Sequence, residues 1–224
     1  MSYFKPFRLV VCAALCLIGF GSAHANLITY STAQSEFDSG VLNSGWWGAI
    51  YPNLDNNDNI ATGYIDSPGY GYFRSFFTFD LTGLSGATSA TLRIQRLDQS
   101  GLITISFWDV STPAAQLNSN DGTNAAIFGD LGSGNSYGVF TVPDGNNSDW
   151  LSFTLSNQAL ADINAAGGFF SIGASSGDRQ YIFGGSNHNV VFLDVQTAAV
   201  PEPSTLALLG LSLAGLGFSR RKKA

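Results

Sequence analysis

An all-β sandwich with one short helix is the fold this sequence predicts, and three observations predict it. Apolar residues alternate with polar ones in run after run through the middle of the chain. Clusters of Gly, Asn, Asp and Ser separate the runs. Apolar segments outside that pattern stand at both ends, each with basic residues beside it.

At the N-terminus, Lys5 and Arg8 precede an apolar stretch from Leu9 to Phe20, and Ser22-Ala23-His24-Ala25 supplies small residues where a signal peptidase reads. This predicts a signal peptide over residues 1–25, cut after Ala25. Cys12 and Cys16, the two cysteines of the chain, fall inside it. The mature body, residues 26–199, therefore has no disulfide and no thiolate, and must draw its stability from a core. At about 174 residues it is the size of one domain with a substantial buried core.

Within the body, Phe77, Phe79 and Leu81 form one apolar face. Ala90, Leu92 and Ile94 alternate against Thr91, Arg93 and Gln95. The period continues at Ile103, Ile105 and Phe107, then Leu151, Phe153 and Leu155, then Phe170, Ile172 and Ala174, and finally Val191, Leu193 and Val195. Each run is strand-like. Turns are expected at residues 84–86, 121–123, 132–135 and 144–147. The exception is residues 157–166, where Leu160 and Ile163 stand three apart among alanines and Gly167-Gly168 follows; the spacing predicts a single short helix. Strands at such regular spacing pack as a sandwich.

The chain ends with Val200-Pro201-Glu202-Pro203-Ser204, an apolar run from Thr205 to Phe218, and Arg220-Arg221-Lys222-Lys223. Leu206, Leu208, Leu209, Leu211, Leu213 and Leu216 surround the helix axis instead of lining one face, which argues against an amphipathic terminal helix. A hydrophobic helix of roughly 14 residues, held by a cytoplasmic basic cluster, is shorter than the ~17 to 25 residues of a stable transmembrane helix and suits a temporary anchor.

These residues resemble the PEP-CTERM sorting signal. The resemblance implies that Pro201, Glu202 and Pro203 are the processing motif, read by an exosortase, a membrane transpeptidase-like enzyme of bacteria that have two membranes and make exopolysaccharide. Arg220 and Arg221, with the two lysines after them, would hold the precursor in the inner membrane until the tail is cut. Residues 200–224 are thus expected to be a sorting signal and residues 26–199 an extracellular domain.

A second resemblance lies in the body. Phe73-Arg74-Ser75-Phe76-Phe77-Thr78-Phe79-Asp80-Leu81 and Ser89-Ala90-Thr91-Leu92-Arg93-Ile94 are similar to a segment of PEP-CTERM ectodomains and of extracellular modules of the DNRLRE type. Residues 107–112, 128–134 and 181–186 are similar to other pieces of such ectodomains. The resemblance implies a jelly-roll-like sandwich comparable to carbohydrate-binding modules.

Charge narrows the partners. The body carries four arginines, no lysine and fifteen acids, a formal charge of −11 against −6 for the whole chain. Nucleic acid and anionic lipid are poor partners for such a surface; cations and neutral or cationic polysaccharide are better ones. Catalytic chemistry is thinly supplied. His188 is the one histidine of the body, in a polar Ser186-Asn187-His188-Asn189 turn without a Gly-x-Ser-x-Gly elbow, and reads as a loop residue. Paired carboxylates of the glycosidase kind stay open among so many acids.

Two binding candidates remain. Asp55, Asn57 and Asn59, with Asp66 eleven residues after Asp55, have oxygen ligands at calcium-loop spacing. Ile60 stands where an EF-hand needs glycine, so the alternatives are a looser Ca2+ site and an ordinary Asn/Asp turn. Trp46, Trp47, Tyr70 and Tyr72, with Tyr51 and Tyr64, offer flat rings on which a sugar face stacks, against burial of most of them in the sandwich. Adjacent Trp46 and Trp47 point to opposite sides of a strand.

The expectation is a non-enzymatic exported protein, structural or adhesive within an exopolysaccharide matrix or biofilm. Its partners are signal peptidase, exosortase, exopolysaccharide and, transiently, the inner membrane, with no nucleic acid. The alternatives are a specific carbohydrate-binding module and an extracellular glycan-active enzyme.

Overall fold

The computed structural model describes residues 25–33, 43–52, 59–119, 123–184 and 191–198. Leu27–Thr197 form one compact unit; of the second unit, residues 1–26 and 198–224, only Ala25, Asn26 and Ala198 are described. The described residues place eleven strands: β1 (Leu27–Ser31), β2 (Ser44–Gly48), β3 (Ile60–Ile65), β4 (Gly71–Asp80), β5 (Ala87–Gln99), β6 (Ile103–Asp109), β7 (Ser136–Val142), β8 (Trp150–Thr154), β9 (Phe169–Ser175), β10 (Tyr181–Gly184) and β11 (Phe192–Thr197). Three helices accompany them: α1 (Ala114–Ser119), α2 (Ala125–Asp130) and α3 (Asn157–Ala166). All strand pairs are antiparallel.

The strands run in the order β1-β11-β5-β10-β3-β4-β9-β6-β7, with β8 on β5 and β2 on β4. The thirteen residues of β5 make this one network into two layers. Its first part lies between β11 and β8, and its last residues pair with β10 in the other layer. Within the second layer, Gly63 of β3 faces Tyr181 of β10 on one side and Phe73 of β4 on the other. Its φ is +117°, and a Cβ there would collide with the Gln180 carbonyl oxygen, so only glycine fits.

The core follows from alternation. Ala90, Leu92 and Ile94 of β5, Leu193 and Val195 of β11 and Phe153 of β8 pack against Phe77 and Phe79 of β4, Ile172 of β9 and Phe107 of β6. Phe107 and Phe153 meet across the layers edge to face, centroids 5.0 Å apart. The sequence-expected strands are all present, and so is the expected helix: α3 is capped by Ser156, whose hydroxyl accepts from the Ala159 N–H, and ends on Gly167 in the left-handed conformation.

The sequence predicts one helix in the body and a hydrophobic one at the C-terminus; the latter lies outside the described residues, and in the body the described residues hold three. Phe76 and Phe77 are adjacent and both 0% exposed, so β4 is buried on both faces. Phe77 enters the sandwich, whereas Phe76 joins Trp47, Leu117, Ile127 and Leu131 in a second, smaller core beneath α1 and α2. Each of these helices has six residues, too few to display a helical apolar period. Asn124 caps α2 by accepting from the Ala126 and Ile127 N–H groups.

Candidate functional site

Three surfaces come into question, and β2 and β4 build the first. Trp46 pairs with Ser75 and Trp47 with Arg74, so the adjacent tryptophans point to opposite faces of the sheet. Trp47 faces the small core at 2% exposure and donates its Nε1–H to the Leu117 carbonyl at 3.3 Å. It has no free face for a sugar, which corrects the expectation of a stacking platform there. Trp46 lies on the sandwich side, half-buried, edge-on to Phe73 at 4.9 Å. Tyr51 and Tyr70 stack at 4.5 Å with 7° between their planes. Tyr72 stands on the other face of β4 against Tyr64, at 4.8 Å, and Arg179 lies over the Tyr64 ring. The rings the sequence gathers therefore split between two faces, and those at the sandwich mouth spend much of their flat surface on one another.

Of the calcium ligand set, Asn59 and Asp66 do not come together. Asp55 and Asn57 lie outside the described residues. Asn59 and Asp66 flank the six residues of β3, which at about 3.3 Å per residue separates them by roughly 20 Å. Calcium holds its oxygens at about 2.3–2.6 Å, so these two cannot share an ion. Asn59 instead fixes an indole, its Oδ1 accepting from the Trp46 Nε1–H at 3.0 Å. Asp66 is exposed. Among the described residues no three acidic, histidine or cysteine side chains gather in metal-binding range.

Perturbed ionisable groups mark joints of the fold. Burial pushes the Tyr137 hydroxyl far up, helped by Asp162, to which it donates at 2.9 Å. Burial lowers the Arg74 guanidinium, whose Nη1 donates to the Phe128 carbonyl at 2.6 Å and the Gly129 carbonyl at 3.1 Å at the end of α2, with its charge over the Phe128 ring. Burial alone would raise Asp130, but hydrogen bonds from Thr112 and Ser111 outweigh it and hold the carboxyl below its ordinary value. The sandwich interior holds an apolar cavity of about 10 Å3 lined by Ile60, Ile94, Phe107 and Phe153, room for no more than a water.

The surface that sequence reasoning missed is the outer face of β1, β11, β5 and β8. Residues between the core positions point outward there, and the register sets them in rows: Ser31, Phe192, Arg93 and Ser152 form one, Thr29, Asp194, Thr91 and Thr154 the next. Trp150, opposite Gln95 and 45% exposed, lies 5.7 Å from the Phe192 ring, with the Arg93 guanidinium near both. The signal was in the counter-phase. If Leu151, Phe153 and Leu155 face in, Trp150, Ser152 and Thr154 face out. His188, Pro201, Glu202, Pro203, Arg220 and Arg221 lie outside the described residues, and Ala25 is an exposed residue ahead of β1.

An antiparallel β domain whose last strand runs directly into a Pro-Glu-Pro, apolar and basic tail defines a class: an exported, membrane-anchored precursor processed for surface display. The family described as the PEP-CTERM protein-sorting motif matches residues 199–222, so the chain carries that motif and is an exosortase-sorted surface protein. Comparison with curated proteins finds no match. Among solved structures the chain is similar to the K1 cleaved adhesin domain of Lys-gingipain from Porphyromonas gingivalis W83, at 12% identity and a TM-score of 0.25, over 80% of this chain and 95% of that one. That likeness is too low to inform the fold or the activity of this chain.

Proposed function

We propose that the mature protein is a non-enzymatic component of the extracellular matrix, structural or adhesive within exopolysaccharide or biofilm, delivered by a signal peptide at one end and exosortase at the other. The observation that carries this reading is the sorting motif at residues 199–222 directly behind a compact β domain. A body charge of −11 without lysine supports it, since such a surface keeps away from nucleic acid and anionic membranes while remaining soluble among neutral glycans. The test is fractionation of biofilm from cells making the wild-type chain or a chain lacking residues 200–224. Wild-type protein is expected in the washed polysaccharide fraction and the truncated chain in the medium or periplasm. Wild-type protein confined to the cell interior contradicts the reading.

The reading as a specific carbohydrate-binding module has one observation in its favour, the open outer face around Trp150.

A further inference from the structure

The two outer faces of the sandwich differ in a way that points to binding. Beneath α1 and α2 the outer face of β4 is sealed by Trp47, Phe76, Leu117, Ile127 and Leu131. The outer face of β1, β11, β5 and β8 carries no helix among the described residues, although it bears a tryptophan at 45% exposure. The Trp150 indole stays uncovered with the Phe192 ring 5.7 Å away, so this face offers a flat ring beside a second one to a ligand.

We infer that this face binds a neutral, flat-faced glycan chain, with the Trp150 indole as stacking platform and the rows of hydroxyl and amide side chains beside it as hydrogen-bonding partners. The inference rests on the proposal that the protein resides in polysaccharide, and it assigns the surface and the ligand class.

Charge decides between occupants. Arg93 and Asp194 are the charged residues of the rows, and they cancel: Arg93 Nε meets Asp194 Oδ2 at 2.6 Å and Nη2 meets Oδ1 at 3.3 Å. Thr29 donates to the same carboxylate at 2.7 Å. The face thus has no net charge on a body of −11, and that body repels acidic polysaccharide but not a neutral one. A protein partner would need a continuous apolar patch, whereas here two aromatic rings adjoin Ser, Thr and Gln. An aromatic ring beside hydroxyl and amide groups matches a sugar, which presents C–H on its faces and hydroxyls at its rim. Arg93 also lies against both rings, 5.6 Å from the Trp150 centroid and 5.0 Å from that of Phe192, which fixes the platform before a ligand arrives.

The test uses the full chain in mild detergent, with barley β-glucan and mannan as neutral probes and polygalacturonate as the acidic one. Wild-type protein is expected to bind a neutral probe, with a blue shift of tryptophan emission, and to ignore polygalacturonate. Trp150→Ala should weaken binding at least tenfold at unchanged melting temperature, and Trp150→Phe should restore most of it. Tyr51→Ala, in the aromatic cluster at the sandwich mouth, should leave binding as it was. Equal affinity of wild type and Trp150→Ala overturns the inference, as does loss on Tyr51→Ala alone, preference for polygalacturonate, or a Trp150-dependent dimer that forms without glycan. If Trp150→Ala binds normally and the protein still fractionates with matrix, the assigned face is wrong and matrix residence stands; if the wild type never reaches the matrix, residence itself fails.

Discussion

Leu27 pairs with Gln196: the first strand of the domain lies against the last. β11 is consequently an interior strand, held between β1 and β5, and the sorting motif begins three residues after Gln196 in the sequence. Deleting residues 27–31 removes a five-residue ladder and the packing of Tyr30 on the core, and bares the edge of β11. Equilibrium unfolding in urea should show a loss on the order of 5 kcal/mol, together with aggregation on storage. A truncated chain as stable as the parent would mean that β1 does not hold the sheet edge.

The neighbouring tryptophans should behave differently. Trp47→Ala empties the small core beneath α1 and α2 and strands the Leu117 carbonyl, so a loss of about 3–5 kcal/mol is expected. Trp46 is half-buried and its replacement should cost clearly less. Denaturant midpoints of the two variants make the comparison, and the reverse order would contradict the facing of β2 described above.

Arg96 extends the inward row of β5 beyond Ile94, is 4% exposed, and among the described residues has no hydrogen-bond partner for Nε or Nη1. A buried cation so placed destabilises the fold unless paired. Arg96→Met keeps the length of the side chain and removes the charge, and should raise stability by about 1–3 kcal/mol in a thermal or urea melt. A destabilised variant would show that the guanidinium finds a partner in solution.

Asp130 supplies a pH prediction. Its carboxylate accepts from the backbone N–H and the hydroxyl of both Ser111 and Thr112, at 2.6–3.1 Å, tying the loop after β6 to the end of α2. These bonds depress its folded pKa, so its contribution is full above the unfolded value of about 3.9 and is lost as pH falls through the folded one. Asp130→Asn should cost about 1–2 kcal/mol at neutral pH, and the gap to wild type should close below pH 4. Melts from pH 3 to pH 7 check this; a constant gap would assign the loss to shape and not to charge.

How much of this was legible differs by element, for physical reasons. β5 buries one face, so Ala90, Leu92 and Ile94 print a clean period of two; β9 is buried on both, but small Ser171, Gly173 and Ser175 on its second face leave the period visible in Phe170, Ile172 and Ala174. β2 and β3 do not, because Ser44, Thr62 and other small polar residues are buried within them: Thr62 Oγ1 and Ser75 Oγ, for instance, satisfy each other at 2.8 Å. The α1 and α2 roof left its trace in Phe76 and Trp47, large rings on the supposedly wet side of their strands. Spacing in sequence is not closeness in space for Asn59 and Asp66, because β3 runs between them. The exposed face around Trp150 needed the register to bring Phe192, from a distant strand, to its side.

The central claim is that the tail at residues 199–222 is a sorting signal removed by exosortase. The measurement that meets it most directly is the mass of the C-terminal peptide of protein recovered from the cell surface, compared with that from cells lacking exosortase. Surface protein is predicted to lack Arg220, Arg221, Lys222 and Lys223, and full-length precursor to be retained in the membrane when exosortase is absent. Surface protein that still carries those four residues would contradict the claim.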